Sequence, residues 1–222
     1  ELLIDTGIVA EAIPDFDIPI TNYEFTLPKE DLFPLQWYLE NNGAALGEPK
    51  GKIIKGADLK VVKAWKRLGN KGSDKVRIAI FDIGFDRTHP AFSHKIVADH
   101  VIWQDGVSHH GTSCAGLAVA AESGEGMIGV APNAELILIE GPTFSWFELE
   151  NAFKFCIENE VDIISCSWGQ QEFSMGHDPM HDHVFREITT KGRNGKGCIV
   201  LFAAGNEDSE HLNVMAKMSN TI

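Results

Sequence analysis

Short apolar runs recur along the last two-thirds of the chain. The first, VRIAIFD at 76–82, is rich in β-branched residues and ends in an acid. Runs of the same type follow as AELILIE at 134–140, VDIISCS at 161–167 and CIVLFAAG at 198–205. Apolar runs of this length, without regular polar alternation, are typical of strands that are buried on both faces. The pattern therefore predicts four buried strands.

Segments with helical spacing lie between these predicted strands. They are HGTSCAGLAVAAE at 110–122, FELENAFKFCIENE at 147–160 and HDHVFREITTKGR at 181–193. Strands that alternate with helices predict an α/β fold, with a mostly parallel sheet and helices on both of its faces. In such folds, ligands and chemistry collect at the carboxyl ends of the strands.

The first third of the chain has a different character. Residues 1–31 are acidic and show no sustained period, which predicts a linker or an extended arm. DLKVVKAWKRL at 58–68 predicts a helix with Asp58 as its N-cap. The apolar face of this helix is predicted from Leu59, Val62, Ala64, Trp65 and Leu68.

Composition and charge narrow the function classes. The 222 residues are 44% hydrophobic and 23% charged, as in ordinary globular domains. The net charge of −13 argues against nucleic acid as a partner, because phosphate-binding surfaces are basic. No apolar run reaches the length of a membrane span, so no membrane segment is predicted.

Four cysteines lie singly in apolar segments, at positions 114, 156, 166 and 198. Without a CxxC pair they do not predict a zinc framework, and they are interpreted as buried free thiols. Disulfides in a secreted protein are the alternative. The sequence does not fix the compartment, and the single buried thiols incline the prediction towards a reducing, intracellular one.

Three polar residues occupy positions where chemistry is expected. Asp82 ends the first predicted strand, His110 begins the next predicted helix, and Asn206 follows the last predicted strand. Each alone has an ordinary structural interpretation as a cap or turn residue. Together they converge on one edge of the sheet, where a carboxylate orients an imidazole and an amide donates to an oxyanion. His109 is interpreted as a structural neighbour.

Two other motifs resemble binding sites but do not predict them. GEGMIG at 124–129 spells GxGxxG, but it lies between a helix and a strand, whereas a dinucleotide site needs glycines between a strand and a helix. It is predicted to be a turn. GHDPMHDHVF at 176–185 clusters metal-ligating residue types with no standard ligand spacing, and it is interpreted as a solvated loop.

Four blocks in sequence order resemble the subtilisin-like serine peptidases, the subtilases of peptidase family S8. They are IAIFDIGFDRTHP, HGTSCAG with GMIGVAPNAEL, DIISCSWG and IVLFAAGN. The combination is specific although no single block is. The phrases SCSWG and NGKGCIVLFAAGN lean towards the kexin-like branch. The resemblance implies a subtilisin-like three-layer fold, with 1–31 as a propeptide tail or linker arm and 32–222 as the N-terminal two-thirds of a catalytic domain.

The resemblance also implies roles for individual residues. Asp82 would orient and stabilise the imidazole, His110 would act as general base and then acid, and Asn206 would line the oxyanion hole. The edge Ser167, Trp168 and Gly169 would pair with extended polypeptide substrate and form one wall of the specificity pocket. Glu172 would attract a basic substrate side chain, although a solvated loop is an equal interpretation.

The chain also departs from the family pattern. The family's nucleophile lies in a Gly-Thr-Ser block beyond the oxyanion asparagine, and no such block occurs before Ile222. Ser113 belongs to the histidine block and is not that serine. We therefore expect a fold that is incomplete at its C-terminus. The rest of the catalytic domain would follow in the same polypeptide or form a separate chain. HPAF at 89–92 replaces the usual His-Pro-Asp-Leu and removes a calcium ligand. No cofactor is therefore predicted, and calcium is left as an alternative without a clear ligand set.

The resulting hypothesis is a serine endopeptidase, made as a zymogen, that works by acyl transfer through an Asp-His-Ser triad. The alternative is a non-catalytic subtilase-like module that binds a peptide or protein partner. Retention of Asp82, His110 and Asn206 together favours the enzyme.

Overall fold

The computed structural model of the protein describes residues 26–43, 54–104, 106–143, 145–169, 179–206 and 214–222. Its strands are β1 (Arg77–Asp82), β2 (Ile96–Val101), β3 (Glu135–Glu140), β4 (Ile163–Cys166) and β5 (Ile199–Phe202). Its α-helices are α1 (Val61–Leu68), α2 (His110–Val119), α3 (Trp146–Glu158) and α4 (Pro179–Gly195). Short 3₁₀ helices cover Phe33–Leu35, Ser93–Lys95 and Met215–Lys217. All four predicted strands and all four predicted helices form.

The five strands make one sheet in which every pairing is parallel, in the order β2-β3-β1-β4-β5. Asp82 lies opposite Glu140 of β3, and Phe81 lies opposite Cys166 of β4. Cys166 in turn lies opposite Phe202 of β5. The carboxyl ends of the strands therefore line one edge of the sheet, where Asp82 emerges.

Successive residues of β1 and β3 point to opposite faces and enter two separate cores. Phe81 and Ile139 pack in a cluster that includes residues of α3 and α4. Ile80 and Leu138 pack in a second cluster that includes Ala115 of α2. Because both faces are covered by helices, both sides of these strands must be apolar, which explains their continuous hydrophobic sequence. The predicted three-layer α/β architecture, with a parallel sheet between helices, is confirmed.

Strand β2 was missed by the sequence pattern. It lies at an edge of the sheet, and its burial alternates between partly buried and exposed positions. Asp99 and His100 interrupt the apolar run, so the segment lacks the signature of a strand buried on both faces. Its place depends on pairing with β3, which lies about 40 residues away in the chain.

Helix α1 differs from its prediction at its N-terminus. It begins at Val61, and the Asp58 carboxylate instead accepts hydrogen bonds from the backbone N–H groups of Asn41 (2.9 Å) and Lys60 (2.7 Å). Asp58 therefore closes a turn before the helix and is not its N-cap. The predicted apolar face is wrong in part, because its buried residues are Val61, Val62 and Trp65, whereas Leu59, Ala64 and Leu68 are exposed.

The described part of the N-terminal segment packs against the turn that follows α2. Leu39 and Trp65 share a buried cluster with Ile128, and the Trp65 indole N–H donates to the Val130 carbonyl at 2.9 Å. The buried Glu30 carboxylate accepts the backbone N–H of Ser123 at 2.9 Å. Residues 124–129 thus form the predicted turn between helix and strand. Residues 1–25 of the predicted arm lie outside the described residues.

All four cysteines are free, as predicted, and all but the partly exposed Cys114 are buried. Within the part of the chain that the structure describes, no helix combines the length and apolarity needed to cross a bilayer.

Candidate active site

Asp82 is held at the carboxyl end of the central strand β1 and is almost fully buried, with 1% of its surface exposed. Its Oδ1 accepts the backbone N–H of Ile83 at 2.7 Å. A carboxylate that accepts a backbone N–H is fixed in direction. The Asp82 carboxylate therefore has a fixed orientation at the carboxyl end of the sheet.

His110 is the first residue of α2 and lies directly above Asp82. Its Nδ1 is 2.7 Å from Asp82 Oδ1, while 54% of the imidazole side chain remains exposed. An Nδ1–H that bonds the carboxylate fixes the ring tautomer, so that Nε2 is the nitrogen able to accept a proton from a reactant. The structure thus brings together the two acid–base residues that the sequence predicts.

The loop after β1 joins this pair through the backbone. The carbonyl of Ile83 accepts the Gly111 N–H at 2.8 Å, and the carbonyl of Gly84 accepts the Thr112 N–H at 3.2 Å. These N–H groups belong to the first turn of α2, where helices have unsatisfied donors. The loop that follows Asp82 therefore caps the helix that begins with His110, which fixes the two side chains relative to each other.

Replacing Gly84 with alanine should destabilise the protein by about 2–4 kcal/mol. Gly84 has φ +74°, and a Cβ built there lies 1.9 Å from the carbonyl oxygen of Ser108. Gly106 is the matched control, since it has φ +68° but no atom within 4 Å of its Cβ. Urea unfolding should show a clearly larger loss for Gly84→Ala than for Gly106→Ala, and equal losses would contradict the proposed crowding.

Cys114 is a third titratable group beside the pair, one turn along α2 from His110. Its Sγ lies 3.7 Å from His110 Nδ1. Burial raises the pKa of the Cys114 thiol to about 11, despite a hydrogen bond with Ser167 that lowers it. The thiol is therefore protonated near neutral pH, and it faces the ring nitrogen that already bonds Asp82. This arrangement does not suit a cysteine nucleophile, which needs a thiolate.

The same three side chains carry donor atoms of types that bind metals. Asp82, His110 and Cys114 are the group of metal-ligating types within 4.8 Å of one another that occurs among the described residues. They offer one oxygen, one nitrogen and one sulfur, whereas calcium takes six to eight oxygen ligands. The donor set does not fit calcium. The histidine-rich segment at 176–185 was interpreted as a solvated loop, and this is wrong from Pro179 onwards, where the chain forms the start of α4. Residues 176–178 lie outside the described residues.

Trp168 fixes the segment that leaves β4. Its indole N–H donates to the Phe81 carbonyl at 2.8 Å, and its ring packs edge-on against Phe81 and Phe202, with centroids 5.0 and 5.2 Å away. Ser167 and Gly169 are held on either side of this anchor. Their role in binding substrate stays a prediction, and Glu172 lies outside the described residues.

Asn206 is exposed and follows β5 by four residues, after Gly205 with φ +119°. Because β5 is two strands from β1 in a parallel sheet, Asn206 lies beyond the same edge as Asp82. The strand spacing separates the two strand axes by about 10 Å. The structure thus confirms the shared edge, while the role of Asn206 in an oxyanion hole stays a prediction.

Glu140 was not singled out from the sequence, although it ends β3 as Asp82 ends β1. It is 3% exposed, and its Oε1 accepts the Gly84 N–H at 3.2 Å. Burial disfavours its charge, but hydrogen bonds from Gln104 and Arg87 hold the pKa of the Glu140 carboxyl below its usual range. The acid at the end of AELILIE was the signal that could have identified it.

Comparison with known proteins assigns the family. A model described as Subtilase family matches residues 73–222. The chain is 36% identical over 196 residues to the calcium-dependent protease of Trichormus variabilis, covering 78% of this chain and 28% of that protein. It is 32% identical over 200 residues to neuroendocrine convertase 2 of Mus musculus, covering 81% and 30%. The chain therefore spans less than a third of the length of these relatives.

Solved structures support the same fold. The serine protease of Aeromonas sobria, solved with its chaperone, matches with a TM-score of 0.65 at 23% identity, over 87% of this chain and 35% of that one. The prenylagaramide maturation protease PagA matches with a TM-score of 0.58 at 22% identity, over 74% and 57%. The family resemblance seen in the sequence is confirmed, and its leaning to the kexin-like branch agrees with the convertase relatives. The chain belongs to the subtilase family, whose members described here are proteases.

Proposed function

We propose that the complete protein is a serine endopeptidase that uses Asp82 and His110 as two members of an Asp-His-Ser triad. The observation that carries the proposal is the 2.7 Å contact between the buried Asp82 carboxylate and Nδ1 of a half-exposed imidazole. This contact leaves Nε2 directed to the reactant side of the ring. A base oriented in this way by a buried carboxylate is the arrangement that activates a serine hydroxyl.

The proposed reaction proceeds in two acyl-transfer steps. His110 Nε2 takes the proton of the serine hydroxyl as the serine oxygen attacks the scissile carbonyl, and Asp82 stabilises the imidazolium. The imidazolium then gives its proton to the leaving amine as the C–N bond breaks. Water hydrolyses the resulting acyl-enzyme with His110 as base. The side-chain amide of Asn206 donates to the oxyanion in both steps, a role that typically lowers the barrier by about 3–4 kcal/mol.

The serine is proposed to lie in the remainder of the catalytic domain, either later in the same polypeptide or in a separate chain. Backbone pairing at the outer edge of β5 supports this. Ile222 donates to the Val200 carbonyl and accepts from the Phe202 N–H, both at 3.0 Å. This is the pattern of a parallel strand pair. Ile222 therefore lies beside the outer edge of β5, paired as an added parallel strand would be.

The proposed substrate is a polypeptide bound in extended form along residues 167–169. The anchored Trp168 supports this placement, because it fixes a stretch of backbone beside the Asp82–His110 pair. Glu172 is proposed to favour a basic residue at the cleavage position. Residues 1–31 are proposed as a propeptide tail or linker arm, consistent with synthesis as a zymogen, and 32–222 as the N-terminal two-thirds of the catalytic domain.

The proposal is tested with a fluorophosphonate probe on the complete protein, followed by peptide mapping. We expect stoichiometric labelling of one serine beyond Ile222, because the probe reacts with a serine that has an activating base. Ser113→Ala is the matched control and should label equally. Absence of labelling, or labelling lost in Ser113→Ala, would overturn the proposal, and absence would favour a non-catalytic module that binds peptide.

A further inference from the structure

Two buried carboxylates end neighbouring strands side by side. Asp82 and Glu140 are register partners on β1 and β3, with 1% and 3% of their surfaces exposed. They receive consecutive backbone amides of one loop: Ile83 N–H donates to Asp82, and Gly84 N–H donates to Glu140. Two like charges this close in a buried setting oppose each other, and a cation nearby relieves the repulsion.

Arg87 supplies that cation from within the chain. Its Nη2 lies 2.7 Å from Glu140 Oε2, and the same nitrogen donates to Asp99 Oδ1 on β2 at 3.0 Å. Gln104 Nε2 also donates to Glu140 Oε2, at 2.8 Å. The guanidinium thus links β2 to the end of β3, and its positive charge belongs to the loop that follows Asp82. Only 29% of the Arg87 side chain is exposed, so water screens its charge less than that of a fully exposed arginine.

We propose that Arg87 and Glu140 are positioning residues that set the orientation and the proton affinity of His110. Glu140 accepts the Gly84 N–H, and the Gly84 carbonyl accepts the Thr112 N–H of α2. The carboxylate is therefore linked through one residue, Gly84, to the helix that begins with His110. Arg87 fixes Glu140 and balances its charge. The inference rests on the proposed function only where it concerns peptide hydrolysis.

The electrostatic part of the proposal has a definite sign. Negative charge near an imidazole favours its protonated form, and positive charge disfavours it. Removing Arg87 therefore raises the proton affinity of His110, whereas removing the charge of Glu140 lowers it. The charged and titratable groups around His110 in the described chain are Asp82 on β1, Glu140 on β3, Asp99 on β2, Cys114 on α2, and Asp86, Arg87 and His109 in the adjoining loops.

The test measures the titration midpoint of the His110 imidazole by histidine-selective NMR in the complete protein, together with the acid limb of kcat/KM. We expect Arg87→Met to move both upward and Glu140→Gln to move both downward, each by about 0.5 pH unit. The amide of Glu140→Gln can still accept the Gly84 N–H, so this variant decides the question even where Arg87→Met fails to fold. Arg87→Lys, which keeps the charge, should restore most of the midpoint.

Arg77→Met is the matched control. Arg77 begins β1 and pairs with Glu135 of β3 at 2.8 Å, as a second arginine–glutamate pair on the same two strands. It lies about 17 Å along the strand from Asp82, so it should leave the midpoint of His110 unchanged. A midpoint that stays unchanged or moves upward in Glu140→Gln would overturn the proposal, and so would one that stays unchanged or moves downward in folded Arg87→Met. A protein that hydrolyses no peptide but shows the opposed NMR shifts would contradict the proposed function alone.

Discussion

Replacing His110 with alanine should reduce kcat for peptide hydrolysis by the complete protein about 10⁴- to 10⁶-fold. The variant removes the only group in the described site that both contacts the Asp82 carboxylate at 2.7 Å and is exposed enough to meet a substrate. Without it, the serine proton has no acceptor and the leaving amine has no donor. The measurement is kcat with a fluorogenic peptide under saturating substrate.

His109→Ala is the matched control for this variant. His109 is exposed and precedes α2, and its side chain makes no capping hydrogen bond to the helix. Its removal should change kcat by no more than about threefold. His110→Ala itself should fold normally, because about half of the imidazole is exposed and its removal leaves little cavity. Hydrolysis that persists in folded His110→Ala would rule out the triad.

The sequence predicts most clearly the strands in which consecutive residues are all buried. Ile78 to Phe81 of β1 are all buried, because helices cover both faces of the central sheet. A continuous apolar run followed by an acid therefore predicted both the strand and the position of Asp82. The helix that begins at His110 was equally predictable, because its small and apolar residues pack on β1. The local sequence pattern was therefore enough to predict these elements, because burial on both faces requires apolar residues at successive positions.

What the sequence did not reveal depends on contacts between distant segments. Arg87, Asp99 and Glu140 come from a loop and two strands, and nothing in the spacing of one segment predicts that they meet. Strand β2 was missed for the same reason, since its mixed polar pattern makes sense only beside β3. The alternating exposure of an edge strand also hides it among loop-like sequences.

Cys114 shows an intermediate case. Its spacing of four residues from His110 places both on one face of a helix, so their proximity could be predicted. Whether the thiol acts as a nucleophile could not, because burial beside Asp82 decides its ionisation. Asn206 and the 167–169 segment were placed at the correct edge of the sheet by topology alone. Their detailed geometry depends on loops that no periodic pattern describes.

Replacing Asp82 with asparagine should lower kcat about 10³- to 10⁴-fold with little change in KM. The Ile83 N–H and the His110 Nδ1–H both donate to the same carboxylate oxygen, Oδ1. An amide oxygen in that position can accept both bonds, but it carries no negative charge to stabilise the imidazolium. When the amide nitrogen faces the ring instead, Nδ1 becomes the acceptor and the proton moves to Nε2. The imidazole then presents a donor where the serine needs a base.

Asp86→Asn tests whether the loss of activity depends on the contact between the Asp82 carboxylate and His110, and not only on removing one negative charge from this region. Asp86 lies four residues further along the same loop, and its carboxylate is occupied by Thr88, whose hydroxyl donates at 2.6 Å and whose N–H donates at 2.9 Å. It removes the same charge while leaving the bond to His110 intact, so kcat should stay within about threefold of wild type. The ring nitrogen shifts of His110 distinguish the tautomers directly: the proton should move from Nδ1 to Nε2 in Asp82→Asn molecules whose amide nitrogen faces the ring, and it should stay on Nδ1 in Asp86→Asn. Equal losses in the two variants would mean that Asp82 acts only as a nearby negative charge, and the orienting role of its contact with the imidazole would have to be abandoned.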